Sequence, residues 1–208
     1  TFQFAVNENN WLGKGVKLET ALNLSTEHIS GNILINNPNY NFSDKSLKAG
    51  VDISSTDRSS TSGFKSSKTG FVLGTGFEQY EDLFFSPEII VAFEEIEVDE
   101  TASTAIKNMK GDFFNVDFAY GLTLDKRDQS WKPTDGYITT FVQALPIIQD
   151  SSALENALHI SAYHDFTDDV IGSLKFHVRA INGLDDDVRL SKRLYISRKS
   201  LRGFNTRR

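Results

Sequence analysis

Apolar and polar residues alternate along almost the whole chain with a period of two, which is the signature of strands with one apolar and one polar face. Phe2, Phe4 and Val6 share a face, with Gln3, Ala5 and Asn7 opposite. Val16, Leu18, Leu22 and Leu24 follow against Lys17, Glu19 and Asn23, then Ile29, Ile33 and Ile35, then Leu47, Ala49, Val51 and Ile53. Phe71, Leu73, Thr75 and Phe77 alternate with glycines at 70, 74 and 76. Leu83, Phe85, Ile89, Val91 and Phe93 form a further set, crossed by Pro87, which predicts a bend or bulge. The second half repeats the pattern in Phe114 to Leu124, in a weaker strand of Ile138, Thr140, Val142 and Ala144, in Leu158 to Ala162, and in Leu174 to Ala180. A helical pattern is confined to Ala102 to Met109, within a loop.

The connections sort into two kinds. Trp11 to Gly13, Asn37 to Lys45, Gln79 to Asp82, Arg127 to Gly136 and Asp165 to Asp169 are short to moderate and rich in turn formers. Ser25 to His28, Thr56 to Lys68, Glu94 to Gly111, Gln149 to Asn156 and Asn182 to Phe204 tend to be longer and polar. Every second connection of an up-and-down barrel lies on the same rim, and outer-membrane barrels pair short inner turns with longer outer loops. The pattern predicts an all-β fold, an antiparallel up-and-down transmembrane β-barrel.

Composition alters this picture little. A mean hydropathy of −0.32 and a hydrophobic content of 39% resemble a soluble protein. A barrel with one lipid face and one watery face averages to the same value. No apolar run reaches the length of a transmembrane helix. The net charge of −6 gives no basic footprint for nucleic acid, and without cysteine there is neither a disulfide nor a thiolate metal site. Charge also orients the strands. Lys175 and Arg179 would both meet lipid if the last strand slipped by one residue. Each would then cost about 2–4 kcal/mol near the bilayer midplane, so their face must be the lumen.

Chemistry-bearing candidates are few. Ser62-Gly63-Phe64-Lys65 and Lys68-Thr69-Gly70 match SxxK and KTG patterns but sit residues apart in one Ser-rich stretch, where catalysis is not expected. His159, His164 and His177, with Asp165, Asp168 and Asp169, show no coherent metal-ligand spacing, and Asp185 to Asp187 lacks the spacing of a calcium loop. No catalytic residue, cofactor or metal is expected.

Four landmarks, in order, carry a resemblance. Asn9 to Gly15 (NNWLGKG) resembles a (D/N)NWLGxG turn, with Asn10, Trp11, Leu12 and Gly13 at its centre. Asn36-Asn37-Pro38-Asn39-Tyr40 resembles a TNPYF-type segment with one residue inserted. Tyr120-Gly121 through Asp125, followed by Pro133-Thr134-Asp135-Gly136, resembles a YGxxxxxxD…PTDG strand and turn. Leu201-Arg202-Gly203-Phe204 resembles a (V/L/I)RG(F/Y) loop motif. The set is similar to the outer-membrane insertase family of the BamA type. That resemblance implies residues 1–208 are a partial C-terminal barrel domain, about ten strands of about sixteen. The periplasmic POTRA domains, the first strand and the final strands are then lacking. It further implies non-covalent folding and insertion of outer-membrane β-barrel proteins, with unfolded barrel proteins, accessory lipoproteins and the bilayer as partners, in the Gram-negative outer membrane. Arg202 would anchor a loop in the lumen, where a guanidinium with five donors can cross-link several acceptors. TamA-like and two-partner secretion barrels share the RGF motif; a passive porin-like channel and a soluble β-sandwich are the other readings. Trp11 and Tyr137 are expected near the membrane interface.

Overall fold

The computed structural model describes residues 2–100, 102–149, 152–167, 169–184 and 194. Within them ten strands form one antiparallel sheet in strict sequence order. They are β1 (Phe2–Trp11), β2 (Val16–Leu24), β3 (His28–Asn37), β4 (Ser46–Arg58), β5 (Phe64–Tyr80), β6 (Leu83–Val98), β7 (Gly111–Asp125), β8 (Gly136–Ile148), β9 (Ala153–Thr167) and β10 (Val170–Gly183). Two single helical turns sit in connections, α1 (Ser59–Ser62) after β4 and α2 (Thr104–Lys107) after β6. The second falls inside the stretch where the sequence predicts one. Each strand pairs with its neighbours in sequence, while β1 and β10 each have one edge without a strand among the described residues, so the sheet is not closed.

Register fixes the two faces. One continuous row runs Asn36–Lys48–Gly74–Glu88–Ala119–Ala144–Glu155 across β3 to β9. Another runs Asn32–Asp52–Gly70–Ala92–Asn115. Side chains in these rows share the polar face. The other face carries an apolar belt through Phe4, Leu22, Ile33, Val51, Leu73, Ile89, Phe114, Phe141, Ile160 and Phe176. A second layer of structure would bury that belt. Instead Phe4 is 56% exposed, Ile33 54%, Leu73 57% and Leu174 71%. The buried non-glycine residues Ala92, Ile96, Ala119, Ala153 and Asn115 all lie on the polar face, which is the more enclosed of the two. This is a single wall with no sandwich core. No helix among the described residues is long and apolar enough to cross a membrane.

Three features depart from the sequence reading. Of the stretches 56–68 and 94–111, expected as long loops, the first is largely strand and the second is strand only at its ends: β4 runs to Arg58, β5 starts at Phe64, β6 continues to Val98 and β7 starts at Gly111. Lys65, Ser66, Ser67 and Lys68 pair with Glu94 to Glu97. Both faces are polar there, so the period-two signal vanishes while backbone pairing persists. In β8, Ile138, Thr140, Val142 and Ala144 line the polar face, whereas Tyr137, Phe141 and Leu145 join the apolar belt. Pro87 does not break β6. Its pairing with Tyr120 of β7 is continuous, and the ladder is interrupted on the β5 side, between Gly74–Glu88 and Phe77–Phe85. Proline lacks the N–H that a second ladder bond would need.

Candidate functional site: the polar wall and its turns

The wall is built around small residues. Lys48 on β4 and Glu88 on β6 form an ion pair across the intervening β5, directly over Gly74. A Cβ at Gly74 would stand 2.8 Å from the Glu88 Cβ, so the bridge requires glycine beneath it. Two pleats away, the Asp52 carboxylate leans over Gly70 in the same manner. Asn115 ends that row, only 5% exposed, and neither its Oδ1 nor that of Asn36 has a hydrogen-bond partner among the described residues. The Gln149 side-chain amide donates to the Asp117 carboxylate. At the far end of the wall, His159 on β9 and His177 on β10 are register partners whose rings stack at 4.0 Å and 18°.

The turn at 11–14 follows from its residues. Four residues join β1 to β2, and within them Leu12 and Gly13 both have positive φ, 55° and 69°, as the central pair of a type I′ turn requires. The Lys14 N–H donates to the Trp11 carbonyl at 3.3 Å, and Asn10 Oδ1 accepts from the Gly15 N–H at 2.6 Å. Trp11 lies at the tip, 37% exposed.

The β7–β8 connection is a self-satisfied cage. Asp128 Oδ1 accepts from the backbone N–H groups of Thr134 and Asp135 at 3.0 and 3.2 Å, and Oδ2 accepts from the Thr134 hydroxyl at 2.8 Å. These bonds, with the Thr134 hydroxyl first, hold the Asp128 carboxyl below the ordinary carboxylate range. Arg127 grips Asp125 through Nε and Nη2, at 2.8 and 2.6 Å. Lys126 reaches Asp82 in the neighbouring turn at 2.6 Å, and that carboxylate raises the Lys126 ammonium pKa above its usual value. Gly136 closes the cage at φ +91°, where a Cβ would overlap the Lys126 carbonyl oxygen. Thr134, Asp135 and Gly136 of the PTDG landmark therefore have definite conformational duties in this loop.

The sequence-identified residues fare unevenly. Asn10 to Gly13 and Pro133 to Gly136 lie at turns on the same rim. Leu201, Arg202, Gly203 and Phe204, like Asp185 to Asp187 and Asp168, lie outside the described residues. His159 and His177 come together on the polar wall. His164 is in β9, its Nδ1 3.1 Å from Asp135 Oδ1 with Asp165 alongside, an exposed group at the rim. Phe64 to Gly70 form the start of β5, with Lys65 paired to Asp57 at 3.3 Å. The Lys48–Glu88 bridge and the Asp128 cage went unread because their partners lie 40 and six to seven residues apart, and only register or loop closure joins them.

Residues 10–208 match the Omp85 superfamily domain. The chain belongs to the Omp85 superfamily. No curated protein sequence matches it. Among solved structures, its fold is shared with BamA from Haemophilus ducreyi lacking POTRA domains 1–3, at a TM-score of 0.69 and 16% identity. The match covers 88% of this chain and 38% of that one, so the chain spans well under half the length of its Omp85 counterpart. The shared fold agrees with the open ten-stranded wall.

Proposed function

We propose that this chain is part of the barrel of an outer-membrane insertase of the BamA type, which folds and inserts β-barrel proteins without covalent catalysis. The observation that carries the reading is the single-layer, ten-stranded meander with its exposed apolar belt, in a chain of the Omp85 superfamily. The belt suits lipid, the polar wall suits a watery lumen, and both turn landmarks fall on one rim. Partners in this reading are unfolded outer-membrane barrel proteins, accessory lipoproteins and the bilayer, and the location is the Gram-negative outer membrane.

Insertion in this mechanism uses backbone chemistry. A strand edge with unpaired N–H and C=O groups templates an incoming strand. In lipid every such group must find a partner, which drives completion of the new sheet. The residues present here supply wall, lumen surface and turn scaffold. In this reading Arg202 serves as a loop anchor, its guanidinium cross-linking several acceptors.

Depletion of the full-length protein in its own host tests this reading. Broad loss of folded outer-membrane barrel proteins, restored by the intact gene, is the expected result. Loss of a single secreted protein, with other barrels assembling normally, would establish a two-partner secretion transporter instead.

A further inference from the structure

His159 and His177 sit opposite one another on adjacent strands, rings 4.0 Å apart and 18° from parallel, on the face that carries the wall's charges. Along β10 the neighbours of His177 on that face are Lys175 and Arg179. Along β9 those of His159 are Ser161 and Ala157, with Glu155 one pleat beyond Ala157 and Tyr163 one beyond Ser161. On β8 the facing residues are Ile138, Thr140, Val142 and Ala144, none of them ionisable. Thr140, which is opposite His159, shares its hydroxyl with Thr123 at 3.1 Å. His164, the other histidine of β9, lies at the rim on the opposite face beside Asp135 and Asp165. Both rings of the pair are open to water on the polar side.

Neutral imidazoles stack favourably, whereas a proton on each would place like charges in contact. A proton on either adds positive charge to a strip already holding Lys175 and Arg179, against the lone carboxylate of Glu155. Imidazole is the side chain that changes charge near pH 6.5. We propose that the His159–His177 stack makes the β9–β10 hairpin an acid-sensitive stretch of the wall, firm when both rings are neutral and loosened when either is charged. No other cross-strand pair of the described residues joins two histidines, so the effect is local to this hairpin.

Amide hydrogen exchange on the full-length protein in detergent, corrected for intrinsic exchange rates, tests this from pH 8 to pH 5. Residues 174–180 report the hairpin, and β5–β6, which contains no histidine, serves as the internal control. If one proton is taken up on opening, the opening equilibrium of 174–180 rises by up to about tenfold per pH unit below pH 7. The β5–β6 amides are expected to hold their protection. His177→Tyr combined with His159→Gln removes both titrating rings and is expected to flatten the response, and either change alone is expected to reduce it. An equal loss of protection in β5–β6, an unchanged response in whichever variant folds, or a flat wild-type profile would overturn the proposal.

Discussion

Lys48 and Glu88 meet across a strand to which neither belongs, and Gly74 beneath them leaves the room to do so. A contact between strands one and three of a triplet ties three strands with a single ion pair. Their side chains are 35% and 24% exposed, so solvent screens the pair only in part.

Gly74→Leu is expected to push the bridge apart and destabilise the barrel by about 1–3 kcal/mol, the usual cost of overpacking. Glu88→Gln is expected to cost about 1 kcal/mol or less, since a half-exposed pair contributes modestly. Urea midpoints of the refolded full-length barrel, read by heat-modified mobility, check the order. Equal effects would show that the glycine serves no steric purpose.

Gly136→Ala forces a Cβ onto the Lys126 carbonyl at a φ of +91°. Left-handed backbone costs a non-glycine residue about 1–2 kcal/mol before any clash is counted. A loss of at least that size in the same assay, against a negligible loss for Gly121→Ala, is expected; at Gly121 the nearest atoms to a new Cβ lie 3.9 Å away.

Asp128 gives the β7–β8 turn an acid limit. Its folded-state pKa is depressed, chiefly by the Thr134 hydroxyl, so its contribution is present above the ordinary aspartate value of about 3.9 and fades as pH falls through the lowered one. Thr134→Val is expected to move the loss to higher pH, and Asp128→Asn to remove this titration altogether. Carbon-detected NMR of the Asp128 carboxyl between pH 2 and 6 distinguishes these outcomes.

The two faces differ in their tolerance of charge. Leu73→Lys on the apolar belt is expected to cost about 2–4 kcal/mol in a bilayer, and Asn32→Lys on the polar wall little. Folding yields in lipid vesicles measure this directly. Comparable yields for both variants would refute the assignment of the belt to lipid.

Arg202→Ala in the full-length protein is expected to lower heat resistance of the barrel and slow assembly of outer-membrane proteins, with Arg202→Lys only partly restoring either, because an ammonium lacks the planar fork. Wild-type assembly and heat resistance in the alanine variant would sink the anchor role.

The strands were legible wherever one side of the pleat met a different medium from the other, as in Leu47 to Ile53 and Phe114 to Leu124. Along Lys65 to Lys68 and Glu94 to Glu97 every residue but Ile96 is polar, so the sequence reads as loop although the backbone pairs. In β8 the apolar residues fall on both faces, and alternation alone cannot choose between Ile138 and Tyr137. Turn chemistry was legible at Gly13 and Gly136 because positive φ selects glycine. Pairings such as Lys48–Glu88 and His159–His177 depend on register, which no local pattern encodes.

The strands differ greatly in length. β5 has 17 residues and β2 has nine, which at about 3.3 Å per residue is roughly 56 Å of ribbon against 30 Å. Measured from the row Leu18–Ile35–Ala49–Leu73, β5 extends further than β2 on both rims, and its end away from the turns carries Lys65 opposite Glu97, with Glu95 and Asp112 beside it. A molecule arriving from that side meets a tall, acidic parapet; one arriving over β1 to β3 steps across a low sill. The mouth of this wall is lopsided, and access to it has a direction.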